Sequence, residues 1–177
     1  LVFSSNGVWM IRGSQGQGFQ ANDYVVEKIS SVGMHSPHSV VDIKNTTMWW
    51  GEDGIYTMQY DPNYNAYSAV SISSDTIQSF FLDIPEANRQ YVKAAYDSIN
   101  FIVYWLYNST VDSTPYIYNK VLAFDLLSKS FYPWTIGDGT PEIHGITYIQ
   151  DANHTLTPLI KYSTTIDING TTESLTY

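Results

Sequence analysis

The chain has 177 residues, of which 44% are hydrophobic, 15% aromatic and 14% charged. That length holds one domain with a real core, and that apolar content excludes a disordered chain. Lys and Arg total 8 against 17 Asp and Glu, a net charge of -9 that excludes a cationic phosphate-gripping domain, and the absence of cysteine excludes disulfide scaffolds, cysteine zinc sites and thiol nucleophiles.

Strand signals dominate from the start. Leu1–Ser4 and Val8–Arg12 are short apolar runs joined by Ser5-Asn6-Gly7, and Asn-Gly between two such runs marks a hairpin. Ser14–Gly18 reads as a loop, Tyr24–Ile29 as a strand, and Ser39–Ile43 as another entered through Pro37. Thr46–Trp50 runs into the turn Gly51-Glu52-Asp53-Gly54, followed by Ile55–Tyr60, the turn Asp61-Pro62-Asn63, and Asn65–Ile72. One helix interrupts: Ile77, Phe80, Phe81 and Ile84 form a single apolar stripe, Ser74 or Asp75 is placed to cap it, and Pro85 ends it. Glu86–Tyr91 adds a second short turn, and the pair is expected to cap a sheet core.

Tyr91–Tyr96 reads as a strand, and Ile99–Tyr107 as the strongest one. Its Phe101, Val103, Trp105 and Tyr107 share one face and Ile102, Tyr104 and Leu106 the other, so it must be covered on both sides. After a loop at Ser109–Tyr118, Lys120–Leu127 and Ser130–Thr135 form a hairpin across Ser128-Lys129. Ile143–Ile149 and Leu159–Thr165 continue the series, with a turn expected at Gly170. The run Ile99–Tyr107 is far shorter than a membrane span, and no signal peptide is visible. The sequons at Asn45, Asn108, Asn153 and Asn169 are read as chance in a chain rich in Asn, Ser and Thr. The chain opens on a strand-like Leu1-Val2-Phe3 and stops within an alternating pattern at Leu175-Thr176-Tyr177, as a segment of a longer protein would.

A repeat underlies the series. The stretch around Asn6-Gly7-Val8 resembles that around Asp53-Gly54-Ile55, and a third copy runs through Asn119-Lys120-Val121, at spacings of about 47 and 66 residues. Units of this kind are the signature of propeller blades, each a small sheet that cannot bury both faces alone. The expected fold is all-β: a partial β-propeller of about three blades with a helical insertion near 74–90, with a β-sandwich as the alternative. The blade-like units are placed at 1–45, 46–98 and 99–140, with a partial unit at 141–177, in one propeller segment over 1–177.

The catalytic and ligand-binding signals are weak. His35 and His38 lie three apart, but Pro37 makes the segment a loop and no second ligand pair accompanies them. Glu52, Asp53 and Asp61 suggest paired carboxylates for glycoside cleavage, yet turn chemistry explains Asp53 and Asp61, and Asp125 with Asp138 and Glu142 has less support. Gly13–Gly18 lacks a P-loop lysine. Trp49-Trp50 and Tyr132-Pro133-Trp134 are of a kind that stacks sugars or bases, but the favoured reading is that they fill wedges between blades. No residue is assigned a catalytic, cofactor or metal role.

Taken in order, several motifs resemble one family. They are Ala21-Asn22-Asp23-Tyr24-Val25-Val26, Gly33-Met34-His35-Ser36, Ser39-Val40-Val41 and Trp50-Gly51-Glu52-Asp53-Gly54-Ile55-Tyr56. Ser73-Ser74-Asp75-Thr76-Ile77-Gln78, Val103-Tyr104-Trp105-Leu106-Tyr107, Asn119–Asp125 and Phe131-Tyr132-Pro133-Trp134 complete the set. The series, over roughly residues 20–136, resembles the β-propeller region of the tail tubular protein B, or nozzle, family of short-tailed bacteriophages and related tail-hub and head-tail stabilisation proteins. The resemblance implies a structural, non-enzymatic virion protein of the tail, without cofactor or membrane anchor. It would form a homohexameric ring below a tail adaptor, near tail fibres, with DNA passing through the lumen unbound. The alternative expectation is a receptor-binding propeller module that binds or degrades carbohydrate.

Overall fold

The computed structural model describes residues 1–13, 18, 20–44, 46–111, 114–136, 142–150, 152–153, 156–168 and 171–176, with side chains described as far as residue 163. The expected Gly/Gln/Ser loop before Gly18, the sequons at Asn45 and Asn169, Asp138 and the turn at Gly170 lie outside them.

The fold is all-β, in four antiparallel sheets made of consecutive strands. The first holds β1 (Val2–Ser4), β2 (Gly7–Gly13) and β3 (Tyr24–Ser30). The second holds β4 (Val41–Ile43), β5 (Thr46–Trp50), β6 (Ile55–Asp61) and β7 (Ala66–Ser71). The third holds β8 (Lys93–Asp97), β9 (Ile102–Tyr107), β10 (Lys120–Asp125) and β11 (Ser130–Trp134). The fourth holds β12 (Glu142–Gln150), β13 (Leu156–Ile168) and β14 (Thr171–Thr176). Two short helices, α1 (Gln78–Asp83) and α2 (Glu86–Arg89), lie between the second and third sheets in the chain.

Pairing decides where each sheet begins. Val41–Ile43 pairs forward with β5 and Lys93–Asp97 pairs forward with β9, so these strands open the second and third sheets. The sheets therefore divide in the segments 31–40, 72–92 and 135–141; the first two lie earlier in the chain than the boundaries drawn after 45 and 98, and the third spans the boundary drawn after 140.

Alternation along the strands explains the stack. Val8 and Phe3 of the first sheet meet Trp49 and Met58 of the second. From the other face of the second sheet, Trp50, Met48 and Ile55 meet Val103, Trp105, Tyr107, Leu122 and Phe124 of the third. Tyr104, Leu106, Val121 and Ala123, on the reverse of the third, meet Ile143 and Ile146 of the fourth. Each sheet is thus packed on its sequence neighbour, and β4, β8 and β12, the first strands of three sheets, run side by side. Sheets stacked in chain order are blade-like, where a sandwich would face two sheets only.

The strongest strand is shorter than its sequence pattern. It starts at Ile102, because Phe101 takes a left-handed conformation (φ 57°) and Asp97 accepts hydrogen bonds from the Ile99 and Asn100 amides at 2.9 and 3.1 Å. The helix differs too. Neither Ser74 nor Asp75 caps it: α1 starts at Gln78 after backbone turns closed on the Ser73 carbonyl, and it has no side-chain cap. The stripe itself docks as expected, with Phe81 fully buried and its ring 5.0 Å from Trp50. Gly33 is required sterically, since a Cβ there would lie 2.1 Å from the Ser4 carbonyl oxygen, beside the Met34 amide that donates to that same oxygen.

Trp50 sits at the centre of the largest core, with rings of Phe81, Trp105 and Tyr107 within 6.4 Å. Trp50→Ala is expected to cost about 3–5 kcal/mol in urea denaturation, as large core truncations do. Leu127→Ala, at a residue 75% exposed in a turn, is expected to change stability by less than about 0.5 kcal/mol.

Candidate functional site

The residues flagged by their chemistry are mostly spent on the scaffold. His35 lies in the connection after the first sheet, its amide donating to the Trp50 carbonyl at 2.8 Å. His38 sits in a 3-10 turn at Pro37–Ser39, edge-on to Tyr116 at 6.1 Å. Among the described residues no group of three or more His, Asp or Glu gathers as a metal site would require.

The carboxylates are kept apart. Asp53 and Asp61 stand at opposite ends of β6. Asp53 accepts the Tyr56 hydroxyl at 2.8 Å, and Asp61 accepts the Asn63 amide at 2.8 Å. Burial, then the hydrogen bond and charge of Asp53, raise the Tyr56 pKa well above the ordinary phenol value. Asp125 accepts the Leu127 and Ser128 amides at 2.7 and 3.3 Å, which holds its carboxyl below the usual range. Glu142 is exposed at the start of β12. Gly13 ends β2, and the rest of the glycine-rich run up to Gly18 is not described.

The one buried cation among the described residues is also structural. Arg89 donates to the carbonyls of Ile84, Glu52 and Leu82 at 3.0, 2.9 and 3.0 Å and lies over the Phe81 ring at 4.9 Å. Burial lowers its pKa, opposed by the charges of Glu86 and Glu52. It ties the helical insertion to the turn between β5 and β6.

The two aromatic clusters part company. Trp49 and Trp50 are fully buried on opposite faces of β5, so they fill wedges as expected. Trp49 stacks on Tyr56 at 5.9 Å and meets Phe3 edge-on at 5.4 Å. Tyr132 and Trp134, on the last strand of the third sheet, remain 46% and 42% exposed and do not fill a wedge completely. The Trp134 ring rests 5.5 Å from Tyr104 at a tilt of 53°.

That indole walls a cleft of about 220 Å³ between the third and fourth sheets, lined by Asp97, Tyr104, Ile146, Pro158, Leu159 and Ile160. Alternation produces it: Tyr104 and Trp134 project from the third sheet toward the fourth, whose Ile146 pairs with Ile160 and whose Tyr148 pairs with Pro158. Asp97 is buried, its Oδ1 accepting two amides and its Oδ2 the Asn100 side-chain amide at 2.7 Å. The Tyr104 hydroxyl has no protein partner among the described residues, and burial followed by the charge of Asp97 raises its pKa. Reading the sequence identified Trp134 but missed Asp97, Tyr104 and the facing strand. The available signal for Asp97 was its place five residues before Ile102, the spacing that separates Asp61 from Ala66 and Asp125 from Ser130.

A scan against protein-family models finds no family that matches this chain, and a search of curated proteins finds no match either.

Two further tyrosines set a pH limit. Burial pushes the phenols of Tyr107 and Tyr118 up to about 12 from the ordinary 10.0. Tyr118 also donates its hydroxyl to the Tyr91 carbonyl at 2.8 Å. Both phenols are neutral in the folded and unfolded chain below pH 10, so their contribution is intact there. Above that pH the unfolded chain ionises first, and stability falls until the folded phenols ionise near 12. The urea midpoint is therefore expected to hold up to about pH 9.5 and drop steeply by about pH 11, with a shallower drop in Tyr107→Phe.

Proposed function

We propose that this chain is a structural component of a short-tailed phage tail, forming part of the nozzle or tail-tube wall through which the genome leaves. In this reading it performs no catalysis and uses no cofactor. It assembles as a homohexameric ring beneath an adaptor, with contacts to tail fibres. The observation that carries the reading is a stack of sheets whose two end faces still bear apolar side chains. Val2, Trp9, Ile11 and Val26 share the face of the first sheet turned away from the second. Ile149 and Leu159 are exposed on the fourth sheet. Such faces suit a piece that is flanked on both sides within a larger wall.

Charge and surface chemistry support the same reading. An excess of 17 acidic over 8 basic residues would let DNA slide past without the counterion release that drives phosphate binding. Tyr60, Tyr64 and Tyr67 stand exposed on the β6–β7 hairpin, with Tyr64 81% exposed at its tip. Exposed tyrosines of this kind anchor permanent subunit contacts.

Native mass spectrometry of the full-length protein tests the proposal. A six-fold assembly that gives no shift with duplex DNA at physiological salt is expected. A monomer, or a complex with DNA that weakens steeply with salt, would overturn it. Tyr64→Glu is expected to weaken the ring while leaving the subunit folded by circular dichroism.

A further inference from the structure

We propose that the cleft between the third and fourth sheets is a saccharide subsite that takes one pyranose ring. The proposal stands apart from the tail-wall reading, since it concerns a groove within one subunit.

The argument begins with the aromatic wall. Trp134 is 42% exposed, backed by Tyr104 on one side and open to the cleft on the other. Trp49, Trp50 and Trp105, the other tryptophans of the second and third sheets, are all fully buried. An indole left half in water costs apolar hydration that closer packing of the sheets would remove. The negative face of its π-system suits weakly positive C–H groups, which a pyranose offers on its apolar side.

The polar groups narrow the ligand further. At the cleft, Asp97 already receives three donors, and one acceptor position remains on Oδ2. An ammonium group has three N–H donors to place and a hydroxyl has one, so the single remaining acceptor position suits a hydroxyl. The Tyr104 hydroxyl adds a donor without a protein partner among the described residues. One donor, one acceptor, an aromatic face and an aliphatic floor of Ile146, Pro158 and Ile160 match a ring with hydroxyls at its edge and C–H groups on its face. The volume of about 220 Å³ lies below the ~300–1,000 Å³ of sites for drug-sized molecules, which restricts it to a single ring.

Saturation-transfer NMR with methyl glycosides of glucose, galactose, mannose and N-acetylglucosamine is the test. At millimolar concentration at least one pyranoside is expected to receive saturation, strongest on the ring protons of one face. Trp134→Ala is expected to weaken binding at least about tenfold, while Trp134→Phe keeps part of it. Pro158→Arg, at a half-buried position on the cleft face of β13, is expected to block the cleft without touching the aromatic wall, so the idea remains testable if Trp134→Ala does not fold. Absence of saturation with every glycoside, equal binding by wild type and Pro158→Arg, or preference for an alkylammonium probe over all the sugars would overturn the proposal. None of these outcomes bears on whether the full-length protein forms a ring.

Discussion

The structure depends on one constraint: the second and third sheets are apolar on both faces, so neither is stable unless a sheet lies on each side. Adjacent residues show it most directly. Trp49 is buried toward the first sheet and Trp50 toward the third, from consecutive positions on one strand. The period of two along a strand forces neighbours to opposite faces, so two successive tryptophans commit the sheet to two partners. β9 repeats the commitment, with Val103, Trp105 and Tyr107 turned one way and Tyr104 and Leu106 the other. Stacking in chain order follows, because each connection delivers the next sheet to the face that awaits it.

A second regularity sets the size of each sheet. Three hairpins are built alike. Asp61, Asp97 and Asp125 each end a strand, accept an amide two residues on, and pair across to the residue five positions later. The residue just before the chain returns is left-handed in all three: Asn65, Phe101 and Lys129 have φ of 49°, 57° and 53°. Asparagine tolerates that conformation well, whereas phenylalanine and lysine do so only because the aspartate cap and the paired strands hold them there. Identical turns make hairpins of matched geometry, and matched hairpins stack. The Asp97 carboxylate thus serves the turn first, and its place in the cleft is a consequence of where that turn falls.

How much of this was legible depended on whether the signal was local. Asn6-Gly7 marked the first hairpin, though the turn falls on Ser5-Asn6 and Gly7 opens β2, paired with Ser4, at a φ of 155°. The apolar stripe of Ile77, Phe80, Phe81 and Ile84 located the insertion, because a stripe at helical spacing has few other uses. Its start was missed, since Ser73, rather than Ser74 or Asp75, closes the turns before it and receives the Ile55 amide at 2.9 Å from across the sheet. Pairing partners were the least legible. Val41–Ile43 and Lys93–Asp97 look like the ends of preceding units, and only the register shows that they begin the next. Exposure of Trp134 was hidden where burial of Trp50 was expected, because both are tryptophans on strands and differ only in what faces them.

What faces them is also why the cleft exists. The first strands β4, β8 and β12 come together, so the second, third and fourth sheets splay toward their later strands and leave a wedge to be filled, whereas the first and second sheets meet at their last strands, β3 and β7. Between the second and third sheets the helical insertion fills it: Ile77, Phe80 and Phe81 pack against the same core as Trp50, and Arg89 ties the insertion to the β5–β6 turn. No helix among the described residues stands between the third and fourth sheets. There the wedge is lined by small and aliphatic groups, Ala123 and Ile146 inside and Pro158 and Ile160 farther out. Trp134, on the last strand of the third sheet, is too far out to be covered by them and too large to withdraw behind Tyr104. The same divergence of sheets that one insertion closes therefore remains open at the next interface, and it leaves there a half-exposed indole with a donor and an acceptor within one small groove.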